Sequence, residues 1–154
     1  MGILDLQLST HLTLRDMVAT GHANLQERNA LDGWKMRAFG QVLARETLEP
    51  MIQHFGMMRI VLGFTCRPLA VAMGEPADSA HTKMQAVKGY FVGVPYRDVA
   101  TMMKRSTIKF GLLQPFGMVE SDSTGFMITM GPPLGTHDRR IMTTSDGVHY
   151  MDSV

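Results

Sequence analysis

The sequence predicts an α+β domain with a mostly antiparallel sheet and helices packed on one face of it. Three observations carry this. Apolar residues recur at helical spacing over about 34–55. Short β-branched or alternating runs follow at 59–62, 85–92, 112–119 and 125–130. Only one further helical segment, about 96–104, is interposed among those strands, so they do not alternate with helices as a parallel sheet would require.

Taken in order, 8–18 reads as an extended piece running into a helical turn. Thr13 caps that turn and Asp16 stands three residues on, a capping box with Asp in place of Glu. Residues 19–33 are polar and without a sustained period, which predicts a surface loop. The long helix then starts at Trp34, capped by Asp32 or Gly33, and ends at Phe55 before Gly56. Pro50 removes one backbone hydrogen bond and is expected to kink it. Arg59-Ile60-Val61-Leu62 is a strand, 63–68 a turn and 69–83 a loop. In the strand from Gln85 to Val92, a period of two puts Ala86, Lys88 and Tyr90 on one face and Val87, Gly89 and Phe91 on the other. Pro95 opens the helix over Tyr96–Lys104, with Val99, Met102 and Met103 toward the core. Strands at 112–119 and 125–130 flank a polar hairpin loop at 120–124. A loop over 132–140 and a terminal strand over 147–151 complete the reading, with no repeat and no linker, so 1–154 is read as a single domain.

Composition limits the function classes. The net charge is +1, with no basic field to predict a nucleic-acid or membrane partner. No apolar run reaches the roughly 20 residues of a spanning helix, and the first residues lack the charged and apolar regions of a secretory signal. The single cysteine, Cys66, excludes an intrachain disulfide and is expected to be a small buried hydrophobe. Fifteen methionines suit an adaptable core or surfaces that repack against partners.

Six histidines are present: His11, His22, His54, His81, His137 and His149. None forms a His-Glu-x-x-His pair. His22 and His54 are expected on the surface. His81 enters a strand from a loop, and His149 lies three residues after Asp146. A catalytic zinc needs three protein ligands, an open position for water and a nearby carboxylate, and spacing alone does not supply that set.

Several segments together resemble the zinc D-alanyl-D-alanine carboxypeptidase and L-alanyl-D-glutamate endopeptidase family, which includes many phage endolysins. They are Leu8–Met17, Val42–Met51 with its Leu48-Glu49-Pro50-Met51, Arg59–Phe64, Ser79-Ala80-His81, and Asp146-Gly147-Val148-His149. The resemblance spans nearly the whole chain and implies a Hedgehog/DD-peptidase-like fold. It also implies metal ligands at His81 and His149, a catalytic carboxylate at Asp146 and a weakly matched substrate-binding residue at Arg67.

The departures fall on the chemistry. In the family pattern Ser-x-His-x-x-Gly-x-Ala-x-Asp, the chain keeps Ser79, His81 and Ala86, but has Met84 for Gly and Lys88 for the ligating Asp. A charged lysine has three donors and no acceptor. Two like unit charges 4 Å apart repel by roughly 4 kcal/mol at an effective dielectric near 20. A glycine position needing positive φ would also be reshaped by Met84. Asp78 or His137 are the candidate substitute ligands. The expectation is a site without a cofactor, in which the Lys88 ammonium pairs with Asp146. The alternative is zinc held by His81, His149 and a substitute. The resemblance then implies a catalytically inactive, structural or interaction protein of a phage virion (capsid, neck, tail or baseplate), whose partners are other virion proteins or its own copies. The alternatives are an active peptidase on peptidoglycan stem peptides or a peptidoglycan-binding module, located in the host cytoplasm or, after release, at the cell wall.

Overall fold

The structure, a computed structural model, describes residues 2–120, 123–130 and 139–142. The predicted terminal strand over 147–151 and most of the 132–140 loop lie outside them, as do His137, Asp146 and His149.

The fold is α+β, and its sheet has five strands in the order β1-β2-β4-β3-β5. These are β1 (Arg59–Leu62), β2 (Ala86–Tyr90), β3 (Leu112–Glu120), β4 (Ser123–Thr129) and β5 (Arg140–Ile141). The first four pair antiparallel. β5 pairs parallel to β3 and begins at Arg140, the last residue of the stretch expected to be loop. Val87 of β2, Ile128 of β4 and Leu113 of β3 lie in register across the sheet and are all buried. They share one core with Leu43, Leu48, Met51, Val99 and Met103 from the helical segments. Lys88 and Met127, in register on the opposite face, are half-buried, so the alternation predicted for β2 holds.

The helices are α1 (Leu14–Val18), α2 (Gln26–Lys35), α3 (Arg37–Leu43), α4 (Glu49–Phe55), α5 (Arg67–Ala72) and α6 (Tyr96–Arg105). At the start of α1, the Asp16 carboxylate accepts hydrogen bonds from the Thr13 N–H at 2.8 Å and its hydroxyl at 3.2 Å. Three expectations are corrected. Residues 19–33 are not a loop: α2 occupies most of them, and its fully buried positions are Asn29 and Gly33, with Ala30 and Trp34 partly buried against the core. The helix expected over 34–55 is broken at Met36 and passes through a π-helical turn at Ala44–Leu48 before α4. Pro50, which has no N–H to donate, sits in the first turn of α4 directly after that wider turn. The stretch 69–83 holds most of α5 and a 3-10 turn at Ala80–Lys83.

Two features fix the sheet against the helices. Asn29 is fully buried. Its amide donates to the carbonyls of Val18 (2.8 Å) and Phe64 (3.1 Å), and its Oδ1 accepts from the Cys66 N–H (2.7 Å). Gly63 lies so close to α1 that a Cβ would stand 2.4 Å from the Met17 carbonyl oxygen. That approach allows the Phe64 N–H to reach the same oxygen at 2.6 Å.

Candidate functional site

His81 is the second residue of the 3-10 segment Ala80–Lys83 that leads into β2, and only 3% of it is exposed. Its Nδ1 lies 2.7 Å from the Gly63 carbonyl. A carbonyl only accepts, so Nδ1 carries the proton, and in the neutral ring Nε2 carries the lone pair. Nε2 is buried and has no hydrogen-bond partner among the described residues. Burial pushes the imidazole below its usual pKa. The Gly63 contact opposes that shift, the nearby Lys88 charge adds to it and Glu75 counters it. Burial thus favours the neutral ring, whose oriented Nε2 lone pair meets no partner among the described residues; second-shell carbonyls orient metal-binding histidines in the same way.

Met84 ends the 3-10 turn in the left-handed region, at φ 55° and ψ 38°. Position 84 thus has a positive φ, the conformation that favours glycine, and methionine adopts it. Its side chain is completely buried against two helix glycines. A Cβ on Gly40 would meet its sulfur at 2.3 Å, and one on Gly33 would come within 3.5 Å of its terminal methyl.

Lys88 follows on β2. Its Nζ lies 3.4 Å from Oε1 of Glu75, with the two side chains 28% and 25% exposed, and 6.0 Å from the centre of the Phe116 ring. Glu75 follows the left-handed Gly74, in the turn that leaves α5. The carboxylate that meets Lys88 among the described residues is therefore Glu75. The partner expected from the sequence, Asp146, lies outside them.

Of the other residues singled out, Arg67 is exposed at the first position of α5, and Asp78 is exposed in the turn before Ser79. His22 and His54 are on the surface and Cys66 is buried, as expected. The described residues contain no group of three or more His, Cys, Asp and Glu side chains placed to hold a metal ion. Three further buried oxygens on the segments around His81 have no partner among the described residues: Thr65 Oγ1, Ser79 Oγ and Gln85 Oε1. Glu75 was missed by the sequence reading. Its signal was slight, a carboxylate at a Gly-Glu-Pro turn six residues before His81.

No protein-family model, curated protein or solved structure matches the chain.

Proposed function

We propose that the chain is a catalytically silent relative of the zinc D-alanyl-D-alanine carboxypeptidases and L-alanyl-D-glutamate endopeptidases, with a Hedgehog/DD-peptidase-like fold, and that it serves as a structural or interaction domain of a phage virion. The observation that carries this reading is the Lys88–Glu75 ion pair beside His81. An ammonium group stands at the sequence position where the family pattern has a ligating carboxylate, and it has its own counter-charge. A cation is thus already present, and a divalent metal entering beside it would be repelled. The virion setting and its partners, other virion proteins or further copies of the chain, follow from the family resemblance and the methionine-rich composition.

One observation favours a second reading, an active zinc peptidase or a peptidoglycan-binding module. The oriented Nε2 of His81, which has no partner among the described residues, retains the form of a metal ligand. Incubation with purified cell walls, with and without EDTA, separates the readings. The proposal predicts no release of stem peptides in either condition, and EDTA-sensitive digestion would overturn it. Retention on insoluble peptidoglycan without digestion would favour the binding module.

A further inference from the structure

A cleft lies between the N-terminal segment and the π-helical turn. It has a volume of about 630 Å³ and is lined by Gln7, Ser9, Thr10, Arg45 and Glu49. The wide turn at Ala44–Leu48 leads directly into Glu49, so Arg45 and Glu49 line the same cleft. Neighbouring opposite charges would ordinarily pair, but here the carboxylate is already committed. Glu49 Oε2 accepts from the Ser9 hydroxyl at 2.7 Å and the His11 N–H at 3.2 Å. Oε1 meets His11 Nδ1 and the Gln53 amide, the latter at 3.4 Å. Four contacts fill the roughly four acceptor positions of a carboxylate. Arg45 is exposed and has no ion-pair partner among the described residues. The next acid along the chain, Glu46, lies 3.9 Å from Lys109 instead.

We propose that this cleft binds an oxyanion, the carboxylate or phosphate group of a small ligand, with Arg45 as the residue that selects it. The guanidinium supplies a planar fork of donors matched to two oxygens of such a group. The Thr10 hydroxyl and the Gln7 amide add neutral donors on the facing wall. Glu49, saturated by its own donors, competes with the ligand for none of them. The proposal uses none of the residues around His81 and holds whether or not that site has lost its metal.

The test is an NMR titration of the full-length chain at low ionic strength with inorganic phosphate and, separately, acetate, following the Arg45 Nε–H and Gln7 side-chain amide signals. A saturable shift is expected, weakened about tenfold or more in Arg45→Gln, as loss of a charge-assisted pair requires. Arg97→Gln, on α6 and outside the cleft, should leave it unchanged. The tighter of the two anions identifies the group. Shifts that fail to saturate, or that saturate equally in Arg45→Gln, would overturn the proposal, and a preserved amide spectrum in that variant shows that the fold is intact.

Discussion

Met84 illustrates how one residue can break a local rule and be retained by packing. A left-handed backbone costs a residue with a Cβ about 1–2 kcal/mol, yet the side chain is fully buried between the helices at Gly33 and Gly40. Truncating a buried methionine costs about 2–5 kcal/mol. Met84→Gly therefore relieves strain but should still destabilise the fold, by about 1–3 kcal/mol in urea unfolding. Gly40→Ala should be destabilising on its own and less so in a Met84→Ala background, with a coupling energy of about 0.5–3 kcal/mol in the double-mutant cycle. The sequence marked position 84 as unusual because the family pattern has glycine there. It could not show where the methionine side chain goes, because its partners are glycines roughly fifty residues upstream.

At the scale of elements, α2 shows why part of the fold was hidden. Its fully buried positions are Asn29 and Gly33, with only Ala30 and Trp34 packed partly against the core, so no continuous apolar stripe marks it as a helix. Asn29 is nonetheless the joint between α1, α2 and the segment after β1, through three hydrogen bonds. Asn29→Ala should cost about 3 kcal/mol or more in chemical unfolding, since it leaves two carbonyls and one N–H buried without partners. Gly63→Ala should be severe as well, because the group it would strike is the Met17 backbone rather than a side chain able to rotate away. The strands were legible where their alternation was strong, as in β2. β5 was not, since two residues paired parallel to a distant strand carry no periodic signal.

At the scale of the whole molecule, two groups among the described residues have shifted values that bear on acid stability. Burial would raise the Glu49 carboxyl, but hydrogen bonds from His11 and Ser9 outweigh it, and the folded value lies below the usual range. Glu49 thus stabilises the fold fully above the ordinary carboxylate pKa, and that contribution is lost as pH falls through the depressed value. His81, also depressed, contributes in full above its ordinary value of about 6.5 and loses that contribution as pH falls toward its folded value. Stability measured by urea midpoint should therefore fall in two stages on acidification. His81→Asn should flatten the upper stage and Glu49→Gln the lower. The candidate site was legible in outline, through His81 and Lys88, because both stand at fixed spacing in one short motif. The counter-charge was not, because Glu75 reaches Lys88 only when the turn after α5 folds back on β2. We propose that the Lys88–Glu75 pair stands where a metal centre would be. Zinc content, measured by atomic emission on protein purified without chelator, tests it most directly. No stoichiometric zinc is expected in the wild type, and measurable zinc affinity in Lys88→Asp. One tightly held zinc per wild-type chain would contradict it.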